Sequence, residues 1–441
     1  MSLKSFYLTP RFFYAIATLS VLFLLSYWWQ WLYGIIWILV IGFGIFLLLE
    51  ISMLYRKKGL NGERIVPEKF SNSDLNSVSI VLQNQYAFKI RVGIIDELPV
   101  QFQKRDFLKN LSISENDNNT FTYEVRPVAR GEYIFGNVNC YVSSAIGLIQ
   151  RRYTFNNEQM VKVYPSFIQM KKYDFLSIDN RLSHSGLRKI RKIGHTMEFE
   201  QIKEYVIGDD VRTVNWKATG KHARLMVNQY QDEKMQPVYS IIDTSRGMKM
   251  PFDGLSLLDY AINSSLAFSN IALKKNDKVG LLDFSNKQGN FLPAQAKKTY
   301  LNLILETLYN IDTNFLDADY GMLQAVAKRR IPQRSLLMLY TNFEHISALH
   351  RQLPYLQAIA KKHVLVVIFF ENIELKRLID SEAKTISEIT DQTIAQQFEL
   401  DKKLMVRELQ QRGIQAVLTS PQDLTVNTIN KYLEIKARGL L

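Results

Sequence analysis

Residues 237–247 read PVYSIIDTSRG, a nearly continuous apolar run that ends at Asp243. Such a run is typical of a strand in a parallel sheet that helices cover on both faces. Similar runs follow it, separated by segments long enough for a helix: KVGLLDFS (278–285), SLLMLYTN (335–342), VLVVIFF (364–370) and AVLTS (416–420). This alternation predicts a doubly wound, Rossmann-type α/β domain over residues 236–441.

Oxygen-bearing side chains end these predicted strands, where ligands of open α/β sheets bind. Asp243 and Ser245 lie two residues apart, so both can direct an oxygen at a hard cation such as Mg²⁺. The pattern resembles the metal-ion-dependent adhesion site of von Willebrand factor A domains, with Thr313 and Asn342 at the later positions. Gly247 replaces a serine, and Asn342 replaces an aspartate. The resemblance therefore implies a degenerate site in which Mg²⁺ binds weakly or not at all. The alternative is a structural strand end.

The N-terminus holds two uncharged apolar stretches, residues 12–29 and 31–49, each near the ~20 residues that span a bilayer. Tryptophans cluster at their junction, as in a membrane interface. Basic residues flank the outer ends: Lys4, Arg11, Arg56, Lys57 and Lys58. By the positive-inside rule, residues 1–58 are predicted to form a transmembrane hairpin (helices about 12–29 and 31–51) in a bacterial inner membrane. The soluble domains then face the cytoplasm. A cleaved signal peptide and a buried core hairpin are the alternatives.

Residues 60–165 change to short alternating runs, such as SVSIVLQNQ (77–85), separated by polar turns. Alternation with Tyr, Val, Ile and Phe predicts strands, and hence a small β sandwich. It shows no catalytic constellation and reads as a packing or interaction module. The single cysteine, Cys140, excludes a disulfide framework and a cysteine-rich metal site.

A connector is predicted over residues 166–235, and it carries the most distinctive sequence, HTMEFEQIKEYVIGDDVRTVNWKATGKHARLMVNQYQDEKMQ (195–236). This stretch resembles the signature of the domain of unknown function 58 family. The matching positions include Glu198, Tyr205, Gly208, Asp209, Asp210, Arg212, Asn215, Trp216 and Lys217. The connector is either a docking surface for a partner or a structural clamp. In the clamp, Asp209 and Asp210 would pair with Arg212 or Lys217, and Trp216 would anchor the segment.

The family resemblance implies a partner, since such proteins are similar to those encoded beside MoxR-type AAA+ ATPases. The chain would then be a membrane-tethered interaction or assembly factor, with the lipid bilayer as its second partner. The segment ATGKH (218–222) lacks the serine or threonine of a phosphate-binding loop, so ATP hydrolysis would belong to the partner. The histidine spacing shows no H-E-x-x-H zinc motif, and no nucleophile elbow is present. The sequence therefore predicts neither an enzyme nor a small-molecule substrate.

Net charge leaves one alternative open. Lys plus Arg number 55 against 42 Asp plus Glu, a balance of +13. Direct binding of nucleic acid or anionic lipid is the second hypothesis. Its patch would comprise Arg151, Arg152, Lys171, Lys172, Arg181, Arg188, Lys189, Arg191 and Lys192. No basic motif is interleaved with aromatics, and several basic residues orient the hairpin, so this hypothesis ranks below a protein partner and makes nucleic acid the less favoured ligand.

Overall fold

The computed structural model describes residues 5–104, 107–156, 158–178, 198–207, 209, 211–231, 235–313, 315–383 and 385–440. The chain divides into two compact units, an N-terminal unit of residues 1–164 and a C-terminal unit of residues 165–441. The chain contains both helices and several β-sheets, so the α/β class predicted from the sequence is confirmed.

The N-terminal unit contains two apolar helices, α1 (Pro10–Leu25) and α2 (Leu32–Tyr55). The 24-residue α2, with a mean hydropathy of 2.7 over its most apolar window, is long and apolar enough to cross a membrane. Helix α1 is apolar too but has only 16 residues. Among the described residues, α2 is thus the candidate span, and a hairpin that crosses twice stays a prediction.

The last turns of α2 lie inside the β domain. Leu54 is fully buried in its core, and so is the carboxylate of Glu50. Glu50 accepts hydrogen bonds from the Ser144 hydroxyl at 2.5 Å and from the backbone N–H groups of Gly147 and Leu148 at 3.0 Å each. These bonds join α2 to a sheet turn about a hundred residues later, so the apolar helix and the sheets belong to one unit.

Three sheets surround the core of the N-terminal unit, with strand orders β1-β10-β9-β5-β6, β2-β4-β7 and β3-β11-β8. The strands are β1 (Phe6–Leu8), β2 (Leu60–Ile65), β3 (Lys69–Ser71), β4 (Asn76–Asn84), β5 (Ile90–Asp96), β6 (Leu108–Ile113), β7 (Asn118–Val125), β8 (Gly131–Phe135), β9 (Val138–Ser143), β10 (Ile149–Phe155) and β11 (Gln159–Tyr164). All pairings are antiparallel except β3 with β11. Buried residues alternate along β4 and β5, as expected where one face meets the core.

The C-terminal unit contains the remaining elements. In chain order they are α3 (Phe167–Ile178), β12 (Glu198–Glu204), α4 (Trp216–His222), β13 (Met226–Gln231), β14 (Pro237–Asp243), β15 (Pro251–Phe252), β16 (Leu255–Ser256), α5 (Leu257–Lys274), β17 (Lys278–Phe284), β18 (Gln288–Gln295), α6 (Tyr300–Asn310), α7 (Tyr320–Arg330), β19 (Leu336–Tyr340), α8 (Ile346–Ala360), β20 (Val364–Phe370), α9 (Ile373–Asp380), α10 (Ile386–Gln411), β21 (Gln415–Thr419) and α11 (Leu424–Ala437).

The main sheet of this unit has the order β18-β17-β14-β19-β20-β21. Helices α5, α6 and α11 pack on one face, and α7, α8 and α10 pack on the other. Strand β18 is an antiparallel edge that the apolar-run pattern misses, because its sequence QGNFLPAQ is largely exposed. The order reverses between β14 and β19, which neighbour each other although β17 and β18 come between them in the chain. In such sheets the reversal opens a crevice beyond the strand ends.

The predicted connector consists of two structural parts. Helix α3 packs against α5, and the Ser166 N–H donates to Asn263 Oδ1 at 2.8 Å, so its start belongs to the α/β layers. Strands β12 and β13 then pair antiparallel, with α4 between them. We call residues 198–231 the signature arm.

Candidate functional site

Asp243 ends β14 beside the sheet reversal, and it is 2% exposed. Its Oδ1 accepts the Ser245 N–H at 2.9 Å, and its Oδ2 accepts the Thr341 hydroxyl at 2.7 Å. Burial raises the pKa of this carboxyl, and the hydrogen bonds oppose that shift. No positively charged side chain of the described residues contributes to it. The strand end therefore holds a buried carboxylate whose donors among the described residues are an N–H group and a hydroxyl.

Thr341 and Tyr320 extend this site. The Tyr320 hydroxyl lies 2.6 Å from Thr341 Oγ1. A hydroxyl has one proton, and Thr341 gives its own to Asp243, so Tyr320 donates to Thr341. Neither residue was among the predicted ligands. Thr341 directly follows β19 and precedes Asn342, so its position at a strand end was a signal that could have found it.

The other predicted metal ligands lie nearby but are engaged. Thr313 Oγ1 lies 3.4 Å from the Ser245 carbonyl oxygen, to which it donates. Asn342 Oδ1 accepts a hydrogen bond from the ammonium of Lys402, on α10, at 2.9 Å. No sequence pattern pointed to Lys402, since 60 residues separate it from Asn342.

These residues are a poor fit for Mg²⁺, which prefers several oxygen ligands, including carboxylates, in octahedral geometry. The site offers one buried carboxylate, and an ammonium holds the amide oxygen of Asn342. Within the described parts of the chain, no three His, Cys, Asp or Glu residues are grouped to hold a metal ion. A weak Mg²⁺ site at Asp243, Ser245, Thr313 and Asn342 stays a prediction.

A cleft of about 210 Å³ opens beside Asp243. Arg246 and Arg351 contribute its positive charge, and Asp317 and Glu344 its negative charge. Arg246 pairs with Asp317 at 3.0 Å in an exposed ion pair. The cleft is small, polar and of mixed sign, and we call it the strand-end cleft.

The signature arm has its own hydrogen-bonded framework. Asp209 pairs with Lys203 at 2.9 Å and accepts the Val206 N–H at 3.0 Å. The bond to Lys203 and then that to Val206 lower the pKa of Asp209. The predicted clamp paired Asp209 with Arg212 or Lys217, whereas its partner in the structure is Lys203. Asp209 closes the turn after β12.

Asn215 begins α4. Its Oδ1 accepts the Ala218 N–H at 3.0 Å, and its Nδ2 donates to Asn228 Oδ1 at 2.9 Å. Thr219 in turn accepts the Met226 N–H at 3.0 Å. An asparagine at this position satisfies an otherwise unpaired helix N–H. The central residues of the signature thus fold the arm onto itself.

Large apolar side chains stand exposed on this framework. Val206 is 62% exposed, Ile207 97%, Val211 67% and Trp216 73%. The clamp hypothesis made Trp216 an apolar anchor, and a side chain that is 73% exposed does not support that role. Trp216 is the first residue of a short helix whose other positions are also at least partly exposed, so it has no core to enter.

The remaining signature residues are less informative. Gly208 and Asp210 lie outside the described residues. Glu198 begins β12, the Tyr205 N–H donates to the Leu225 carbonyl at 2.8 Å, and both Arg212 and Lys217 are exposed.

The predicted basic patch is partly used within the N-terminal unit. Arg151 donates to the carbonyls of Leu54 and Lys57 and lies 4.7 Å from the Tyr55 ring centroid. Arg152 lies 5.7 Å from the Tyr7 ring centroid. Arg181, Arg188, Lys189, Arg191 and Lys192 lie outside the described residues. Structural contacts of Arg151 remove part of the support for a nucleic-acid surface.

Solved structures give only weak similarity. The CARDB domain of the PF1109 protein from Pyrococcus furiosus is 15% identical, covering 24% of this chain and 93% of that one, with a TM-score of 0.18. The PapD-like domain of human CEP192 is 8% identical, covering 24% and 86%, also with a TM-score of 0.18. At these scores the likeness supports no statement about this chain.

Sequence comparison is more specific. The uncharacterized protein YeaD of Bacillus subtilis is 22% identical over 189 residues, which are 43% of this chain and 45% of that protein. The chain thus matches less than half the length of this curated relative. Residues 201–412, from the signature arm to the end of α10, match the family described as "Protein of unknown function DUF58".

Proposed function

We propose that this chain is a membrane-tethered interaction and assembly factor that works by contact with a MoxR-type AAA+ ATPase. The proposal places α1 and α2 in a bacterial inner membrane and the soluble domains in the cytoplasm. The α/β layers would be a von Willebrand factor A-like domain. Catalysis would belong to the ATPase.

The exposed apolar surface of the signature arm carries this proposal. Four large apolar side chains between residues 206 and 216 are each more than three fifths exposed. Large exposed apolar side chains that lie close together in the chain are candidates for an interaction site, and tryptophan is enriched among residues that dominate binding energy. We therefore assign partner docking to Val206, Ile207, Val211 and Trp216, called the arm surface.

The folded framework beneath the arm surface supports the same interpretation. Asp209 and Asn215 fix the two turns that present these side chains. A surface held in place before binding loses less conformational entropy when a partner docks. The polar signature residues would thus position the contact, and the apolar residues would make it.

The membrane part of the proposal is supported by α2. Its length and hydropathy suit a bilayer, and its last turns are bonded into the β domain through Glu50. A span joined in this way would hold the N-terminal unit at the membrane surface.

Capture of the ATPase from detergent-solubilised membranes of its own cells tests the proposal. We expect Ile207→Ser and Trp216→Ala each to reduce capture at least about tenfold, a typical loss at a binding hot spot. Ile386→Ser is the matched control, because Ile386 is also strongly exposed, at 85%, but lies outside the arm. Equal capture by Ile207→Ser and Ile386→Ser, or no capture by the unaltered chain, would contradict the proposal.

A further inference from the structure

A second and larger cavity lies beyond the carboxyl ends of β19 and β20, against α9 and α10. Its volume is about 480 Å³, within the range of small-molecule sites. Its walls are mostly apolar and include Phe252, Leu257, Phe370, Phe398 and Leu418. Three phenyl rings among them can pack against an aromatic or aliphatic body.

Lys402 brings a positive charge to this apolar wall. Its ammonium donates to Asn342 Oδ1 at 2.9 Å and to the Phe343 carbonyl oxygen at 2.5 Å. An ammonium has three N–H groups, so these contacts among the described residues leave one for a ligand. Burial lowers the pKa of Lys402 to about 8, and the charge of Glu344 opposes that shift.

The other charged groups of the cavity limit the ligand. Glu344 and Glu374 are exposed, and Glu399 pairs with Lys403 at 2.6 Å. Glu371 and the exposed Lys376 also line the wall, so four carboxylates face three ammonium groups there. Carboxylates nearby disfavour a ligand with two or more negative charges. A single negative charge placed at Lys402 avoids most of that repulsion.

We propose that this cavity binds a small carboxylic acid with an apolar body, whose carboxylate accepts a hydrogen bond from Lys402. The apolar body packs among Phe252, Phe370 and Phe398. Because the cavity lies in the C-terminal unit and uses none of the arm surface, the proposal is independent of ATPase docking.

Equilibrium dialysis of the full chain in lipid nanodiscs tests this site, with 4-phenylbutyrate as the probe and 4-phenylbutan-1-ol as its uncharged partner. Empty nanodiscs give the partitioning to subtract. We expect one saturable 4-phenylbutyrate site per chain and at least about tenfold weaker binding of the alcohol, as a lost charged hydrogen bond predicts.

Two variants locate the site. Lys402→Met keeps the chain length, removes the ammonium and should reduce 4-phenylbutyrate binding to the level of the alcohol. Arg407→Met, on the same helix but exposed and outside the cavity lining, should stay within about twofold of the unaltered chain. Equal binding of acid and alcohol to the unaltered chain, no binding of either, or undiminished binding by Lys402→Met would overturn the proposal. The first two outcomes need no variant, so a folding defect in Lys402→Met would not obscure the result.

Discussion

Two buried carboxylates, one in each unit, are built in opposite ways. Asp96, in the N-terminal unit, lies 2.6 Å from the Arg64 guanidinium and 2.5 Å from the Tyr123 hydroxyl, with the Asp96 and Arg64 side chains fully buried. Asp243, in the C-terminal unit, has only N–H and hydroxyl donors. Burial raises the pKa of both carboxyls, but at Asp96 the charge of Arg64 opposes the shift.

Asp96 is enclosed in an ion pair, whereas Asp243 lies at a strand end beside a cleft. Arg64 also donates to the Gly136 carbonyl at 3.0 Å and stacks on Phe135, so the pair is enclosed in the β core. Asp243 borders the strand-end cleft at the reversal of the sheet. Asp96 is thus paired with a guanidinium inside a core, whereas Asp243 accepts hydrogen bonds from neutral donors at a sheet edge where ligands of such folds bind.

Arg64→Met gives the largest expected effect. The substitution leaves Asp96 buried without its cation, which costs about 3–5 kcal/mol. Hydrogen exchange of the β2, β4 and β5 amides in nanodiscs measures the loss of local stability. Arg224→Met is the control, because its ion pair with Glu204 is mostly exposed and should change stability by less than about 1 kcal/mol. Equal losses of stability in the two variants would contradict a structural role for the Arg64–Asp96 ion pair.

Glu50→Gln tests a third buried carboxylate. Among the described residues, Glu50 accepts hydrogen bonds from one hydroxyl and two backbone N–H groups. A glutamine side chain has one acceptor oxygen, so at least one donor loses its partner, at a cost of about 1–3 kcal/mol. Faster exchange of the Gly147 and Leu148 amides would report the loss. Unchanged exchange there would mean that Glu50 does not hold α2 in the sheet turn.

Asp243→Asn should have a smaller effect, within about 1 kcal/mol. The amide oxygen can still accept the Ser245 N–H. The amide nitrogen can donate to Thr341, whose own proton then turns toward Tyr320. The Tyr320 proton loses its acceptor in that arrangement, but removal of a buried charge offsets part of that cost. Exchange of the β14 and β19 amides measures the change. A loss of about 3 kcal/mol or more would show that Asp243 is structural, like Asp96.

Trp216→Ala gives the smallest expected change in stability, under about 0.5 kcal/mol, because the side chain is 73% exposed. The β12 and β13 amides should exchange as in the unaltered chain. Reduced partner capture with unchanged hydrogen exchange would show that the substitution affects docking and not folding. A marked rise in exchange would restore the anchor role that the sequence suggested.

The parallel strands could be predicted because they are buried on both faces and read as apolar runs. That pattern also placed Asp243 and Asn342 at strand ends, and the structure shows that the two strands are neighbours. Contacts between distant segments could not be predicted, because local pattern contains no pairing information. Lys402 with Asn342 is one example, and Glu50 with Ser144 is another. The exposure of Trp216 could not be predicted for a different reason, since a tryptophan suits an apolar anchor and a docking surface equally well.

Photo-crosslinking from position 216 tests the central claim most directly. A benzoylphenylalanine at Trp216, in the full chain in its own membranes, should form a crosslink to a MoxR-type ATPase, and Ile207→Ser should abolish it. The same probe at Ile386 should give no such crosslink. If position 216 yields no ATPase crosslink while the arm amides exchange as in the unaltered chain, the account of this protein as a contact-based factor is contradicted.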